Sequence, residues 1–250
     1  MDYRRWYPRY RRIAQALGLS ETHDQQATGL LASLIRGRAL RPEAVRRRMA
    51  GRRVVVLGAG PSLKLDLERL REAGLHRSSF LVSADGATTA LLEAGFTPSL
   101  VVTDLDGRLE DIAEAGRHGA LLTVHGHGDN IPALKSWVPR IEGLILGTTQ
   151  VKPEGEVYNF GGFTDGDRGV FLAEEMGARE IILAGMDLGE RVGRFSKPSL
   201  ASDVPASLVK RLKLRIAKEL LEWLSTWAEA ELWNFTSGGE DIRGFPRLKS

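Results

Sequence analysis

Residues 79–107 read SFLVSADGATTALLEAGFTPSLVVTDLDG, two short apolar runs each closed by aspartate. The runs 80–84 and 100–103 are rich in Val and Leu and bounded by turn residues, the pattern of buried parallel strands. Between them, residues 87–94 have helix-forming composition and stop at Gly95. In a strand–helix–strand unit the carboxyl ends of neighbouring strands share one edge of the sheet, where open α/β folds bind ligands. Asp85, Asp104 and Asp106 all fall at that edge. In extended chain Asp104 and Asp106 would point the same way, with Leu105 turned back to the core. Few hard oxygen ligands with room for water suit Mg²⁺ that also holds nucleotide phosphates. Each aspartate taken singly is equally well explained as a cap, since Asp85-Gly86 and Asp106-Gly107 are turn dipeptides.

Upstream, the run 53–57 ends in Gly58-Ala59-Gly60-Pro61-Ser62-Leu63, an incomplete G-x-G-x-x-G. The two glycines would let backbone amides and the Ser62 hydroxyl approach a phosphate at a helix start, or would simply make a tight turn. Downstream, the strand 120–124 runs into His125-Gly126-His127-Gly128-Asp129-Asn130. Asp129 is expected to assist the cation or nucleotide, with His125 and His127 as polar contacts rather than zinc ligands. Further strands are expected at 142–146, 156–160 and 180–184. Between the last two lies Gly161-Gly162-Phe163-Thr164-Asp165-Gly166-Asp167-Arg168, more than a helix cap requires and so a second ligand-binding element. After Gly185-Met186-Asp187-Leu188-Gly189 comes a polar, basic stretch, 190–202, expected to form a mobile loop over the site. A long amphipathic helix is expected over about 205–232. Its tryptophans suit core packing or a subunit interface, so a homodimer is possible.

With 42% hydrophobic and 27% charged residues the chain is an ordinary globular protein, expected to carry a catalytic domain from residue 51 to 250 behind an N-terminal helical segment, 1–50. That segment should hold two or three short helices, one interrupted by Pro8, with Trp6, Tyr7 and Tyr10 docked on the main domain. It has eleven Arg against four Asp or Glu. No nucleic-acid-binding motif accompanies this charge, and solvated helix faces explain it, so no nucleic-acid partner is expected. No apolar run spans a bilayer and the first residues lack a signal-peptide core, so neither a membrane role nor export is expected, and the location is expected to be cytoplasmic. The absence of cysteine excludes disulfides and thiol chemistry.

Taken together, VVVLGAGPSL, SADGATTALLEAGFTPSLVVTDLDG and GGFTDGDRGVFLAEEMGAREIILAGMDLG resemble the archaeal 6-hydroxymethyl-7,8-dihydropterin pyrophosphokinase family over about residues 53–189. That family is similar in its core to thiamin pyrophosphokinases, whose Asp-Gly and Gly-Asp-x-Asp elements place metal-binding aspartates. Asp85-Gly86 and Asp104-Leu105-Asp106 match these, with Thr103 where the thiamin enzymes usually carry Gly. The resemblance implies an α/β fold with a mostly parallel sheet and Mg²⁺-dependent transfer of diphosphate from ATP to a reduced hydroxymethylpterin, on a route to methanopterin- or folate-type cofactors. It implies that Asp85, Asp104 and Asp106 hold the metal and that Gly58, Gly60, Ser62 and Asp129 serve the nucleotide. Arg168 would neutralise developing charge, and Thr164, Asp165, Asp167 and Asp187 would receive the pterin. A related domain occurs in bacterial motility-associated proteins that resemble sugar transferases. A nucleotide-sugar glycosyltransferase and a non-catalytic nucleotide-binding module are therefore the alternatives.

Overall fold

In the computed structural model, residues 1–248 are described. Three helices lead: α1 (Tyr3–Leu17), α2 (Glu21–Leu34) and α3 (Pro42–Met49). The chain then alternates: β1 (Arg53–Leu57), α4 (Leu63–Glu72), α5 (Leu75–Ser78), β2 (Phe80–Ala84), α6 (Ala87–Glu93), β3 (Leu100–Thr103), α7 (Leu109–Arg117) and β4 (Leu121–Gly126). It continues through α8 (Ile131–Trp137), β5 (Ile145–Thr149), β6 (Val157–Tyr158), α9 (Asp165–Glu175) and β7 (Glu180–Ala184). A two-stranded ribbon, β8 (Arg191–Val192) with β9 (Val204–Pro205), precedes α10 (Leu208–Leu224) and β10 (Glu231–Asn234).

Eight strands form one parallel sheet in the order β10-β7-β1-β2-β3-β4-β5-β6. The chain therefore builds outward from β1 to β6 and returns to the other side of β1, which puts the topological switch point between β1 and β7. Along β1, Val54 and Val56 pack on one face with α9 and α10, while Val55 and Leu57 pack on the other with α4 and α6. Helices thus cover both faces, as an all-parallel sheet requires.

Helix α9 lies close against the strands because Gly169 faces them: a Cβ there would meet Val56 Cγ1 at 3.0 Å and Val82 Cγ1 at 3.2 Å. Gly169→Val is accordingly expected to push α9 off the sheet and destabilise the protein by about 1–3 kcal/mol, read as a lower denaturation midpoint at unchanged slope.

Several boundaries differ from the sequence expectation. Pro8 lies inside α1 instead of interrupting it. It forfeits one backbone bond, while fully buried Trp6 and Tyr10 on the same helix anchor it to the core. The last amphipathic helix stops at Leu224, and Leu232 belongs to β10 on the sheet edge. The apolar spacing runs on past the helix end, and only pairing of residues 231–234 with β7 reveals the strand. His125 lies within β4 rather than in the loop after it, and β5 begins at Ile145. The N-terminal helices share the main core: Trp6, Tyr10, Val45 and Met49 join one cluster and Leu31 and Ile35 another.

Candidate active site

The three aspartates converge as ligand-bearing oxygens within 4.8 Å of one another. The route differs from the extended strand expected. Asp85 has φ 41° and Leu105 φ 67°, both left-handed. The kink at Leu105 buries its side chain with Ile112 and Val124 and swings Asp104 and Asp106 together on the opposite side. Thr103 locks this arrangement: its hydroxyl donates to Asp85 and accepts from the Leu105 amide at 2.8 Å. Gly107 is required beside it, since a Cβ there would overlap the Asp85 carboxylate.

Asp85 Oδ2 and Asp104 Oδ1 are buried with no hydrogen-bond partner among the described residues. Burial, then the charges of Asp165, Asp104 and Asp106, push the Asp85 carboxyl well above its ordinary value. Burial also opposes ionisation of Asp104, but His127, Arg168 and Lys197 outweigh it and hold that carboxyl low. His127 Nε2 stands 3.5 Å from Asp104 Oδ2. Clustered carboxylates with orphaned oxygens are a donor set that a hard divalent cation fits.

The start of α9 faces this cluster. Asp167, expected at the substrate, is fully buried and spent on the helix start, accepting from the amides of Phe163 (2.6 Å) and Thr164 (2.7 Å) and from the Thr164 hydroxyl. It completes a capping box with Thr164, which commits Asp167 to the helix start, while Thr164 still lines the cavity described below. Asp165 belongs electrostatically with the triad: burial, then Asp104, raise its pKa, with Arg168 opposing. Arg168 reaches Asp165 Oδ1 at 3.4 Å and Gln150 Oε1 at 3.1 Å.

At the switch point, Gly58 and Gly60 serve chain packing before any ligand. A Cβ on Gly60 would overlap Asp187 Oδ2, and one on Gly58 would come within 2.6 Å of Met186 Sδ. Ser62, expected at phosphate, has its amide 3.2 Å and its hydroxyl 2.9 Å from Asp187 Oδ2, and the hydroxyl also lies 2.8 Å from Asp66 Oδ2. Two carboxylates already occupy this helix start, so an incoming polyphosphate would meet like charge there. Burial raises the Asp187 pKa, Ser62 lowers it and Asp66 adds to the rise.

A cavity of about 550 Å³ unites these elements. On the β7–β1 side it is lined by Gly58, Ala59, Pro61 and residues 185–188; on the β4–β5 side by His127, Asp129, Gln150 and Asp24 from α2. The triad lies between. Asp129 is exposed at the rim. His125 faces the core: its Nδ1 is 3.2 Å from Thr148 Oγ1, and burial, followed by Arg168 and His127, keeps its pKa low.

Asp24 was missed in the sequence because it reads as an ordinary first-turn helix acid. It accepts from Tyr10 (2.7 Å), Gln150 (2.7 Å) and the Gly128 amide (2.8 Å). Lys210 and Lys213 also line the cavity, although on sequence they are merely the polar face of α10.

A model of the "6-hydroxymethylpterin diphosphokinase MptE-like" family matches residues 36–193. The chain belongs to that family. It is 46% identical over 226 residues to a Methanothermobacter thermautotrophicus protein named 6-hydroxymethyl-7,8-dihydropterin pyrophosphokinase, covering 90% of this chain and 95% of that one. Proteins of the same name from Pyrococcus furiosus (44% identity, 94% and 100% covered) and Methanocaldococcus jannaschii (35%, 92% and 99% covered) are similar along their whole length. Among solved structures, a MAf glycosyltransferase from Magnetospirillum magneticum superposes with TM-score 0.59 at 18% identity, covering 93% of this chain and 39% of that one. At that identity the likeness shows a shared fold.

Proposed function

We propose that this chain transfers the terminal diphosphate of ATP to the hydroxymethyl oxygen of a reduced 6-hydroxymethylpterin, yielding the pterin diphosphate and AMP. The observation that carries this reading is the trio of converging carboxylates with orphaned oxygens at the middle of a two-sided cavity. Full-length relatives bearing the corresponding name support it.

Asp85, Asp104 and Asp106 would hold Mg²⁺, which when bound neutralises polyphosphate charge and aligns it for displacement. In the transfer the alcohol oxygen bonds to the β-phosphorus and gives up its proton to solvent, the bond from that phosphorus to the α,β-bridging oxygen breaks, and AMP departs with the electron pair. The chain needs no nucleophile of its own, because alignment and charge compensation carry such reactions. Arg168, held by Gln150 and Asp165 and lining the same cavity, would neutralise the charge that develops in the transfer. Asp187 is the carboxylate suited to the donor edge of the pterin. It lines the cavity beside Met186 and Leu188, surfaces that fit a flat ring.

Incubation with ATP, Mg²⁺ and reduced hydroxymethylpterin tests the reading directly: AMP and a pterin diphosphate are expected. ADP in place of AMP would mean single phosphoryl transfer, and nucleotide binding without turnover would leave a binding module. Asp187→Asn is expected to raise the pterin KM about tenfold or more while nucleotide affinity measured without pterin holds. Loss of nucleotide binding with pterin affinity retained would move Asp187 to the nucleotide.

A further inference from the structure

Residues 189–207 do not return to the main sheet. They form the β8–β9 ribbon, of which residues 191–193, Ser196 and Lys197 line the cavity, and it is held at fixed points. Gly193 packs so tightly that a Cβ would stand 2.5 Å from Ala59 O, and the Phe195 carbonyl fills the space a Cβ on Gly86 would need. The Arg194 amide donates to Asp203 Oδ1 at 2.8 Å, closing the ribbon on itself. This anchoring sets Lys197 in contact with Asp106; burial opposes its charge, but Asp106, then Asp104 and Asp85, outweigh it and raise its pKa.

Lys210 and Lys213 approach from the first turns of α10, one helical turn apart and both lining the same cavity. Among the described residues, no hydrogen bond or ion pair engages either ammonium. Burial, and then the Lys197 charge, depress the Lys210 pKa, while Asp165 and Asp106 partly restore it. Lysines gathered in a half-buried cavity repel one another, and an anion placed among them relieves that cost. The Gly58–Ser62 turn does not offer such a place, because Asp187 and Asp66 already occupy it. All three lysines lie beyond residue 193, where the family match ends.

We propose that Lys197, Lys210 and Lys213 bind the polyphosphate of the nucleotide, and that Lys197 exchanges Asp106 for a phosphate oxygen when a divalent cation occupies the aspartates. The proposal rests on the reading of a nucleotide site. In the free protein Lys197 and the cation compete for Asp106, so cation and polyphosphate reinforce each other's binding, a reciprocal coupling.

The test uses the full chain with Mn²⁺ as a paramagnetic cation probe and inorganic tripolyphosphate as the anion, each titrated alone and together. Wild type is expected to bind Mn²⁺ more tightly with tripolyphosphate present. Lys197→Met is expected to bind Mn²⁺ alone at least about threefold more tightly, and Lys197→Met and Lys210→Met each to bind tripolyphosphate about tenfold more weakly with Mn²⁺ present. Lys197→Gln, with an unchanged melting curve, guards against a folding artefact. Wild-type tripolyphosphate affinity in both lysine variants overturns the proposal, as does weaker Mn²⁺ binding by Lys197→Met. If wild type binds both probes cooperatively but makes no pterin diphosphate, the pterin reading falls and this one stands. If it makes the diphosphate while the lysine variants keep full polyphosphate affinity, this one falls alone.

Discussion

Asp104→Asn and Asp106→Asn are each expected to lower turnover by at least about a hundredfold, the order seen when a group that holds a catalytic cation or stabilises developing charge is removed. Asp104 Oδ1 is buried and unpartnered among the described residues, so an amide there would withdraw charge where the triad needs it. Asp106 is half exposed and, among the described residues, its one ion pair is with Lys197, so its loss should spare the fold. Melting temperature and circular dichroism should therefore stay near wild type while Mn²⁺ affinity and turnover fall together. Near-wild-type turnover in both variants at saturating Mg²⁺ would remove the metal reading.

Deleting residues 1–50 is expected to leave no soluble folded protein. Trp6, Tyr10, Leu31, Ile35, Val45 and Met49 are fully buried against the sheet. Burial of each such side chain is worth about 1.5–3 kcal/mol, so together they rival the whole net stability of a domain. The segment also bonds to the sheet, with the Leu40 amide donating to Ile145 O at 2.8 Å and the Ile145 amide to Arg38 O at 3.1 Å. Trp6→Ala gives a graded version: about 3–5 kcal/mol is expected to be lost, since a large cavity opens and the Gln150 carbonyl loses its indole donor. Urea denaturation measures it, and a loss below about 1 kcal/mol would show the helix to be dispensable packing. The segment's arginines are partly engaged internally, Arg9 lying 3.7 Å from the Trp223 ring centroid and Arg46 donating to Glu175 O at 2.5 Å. Tight nucleic-acid binding with steep salt dependence would contradict their assignment to packing.

The alternation of apolar runs and helices was legible in the chain because parallel strands buried on both faces read as continuous Val, Leu and Ile. Each turn that follows such a run sits at the same sheet edge, so the convergence of Asp85, Asp104 and Asp106 followed from local pattern and a general rule of α/β topology. The mechanism of convergence did not follow: the left-handed Leu105 and the Thr103 brace depend on neighbouring strands in register.

Everything decided by pairing across long sequence distance was invisible locally. That β7 returns beside β1 places Asp187 on Ser62 and turns a phosphate-like glycine turn into a close chain crossing. A capping box consumed Asp167, which on paper was as available as Asp165. Lys197 and Lys210 reach the site only because an anchored ribbon and the start of α10 fold back over the sheet edge. Sequence by itself determined the ends of β2 and β3 and the acidic triad that follows them, since both arise from residues near one another in the chain. Tertiary structure alone decided which polar groups are already spent and which cations face the triad, because hydrogen bonding and charge act through space between elements that are remote along the chain.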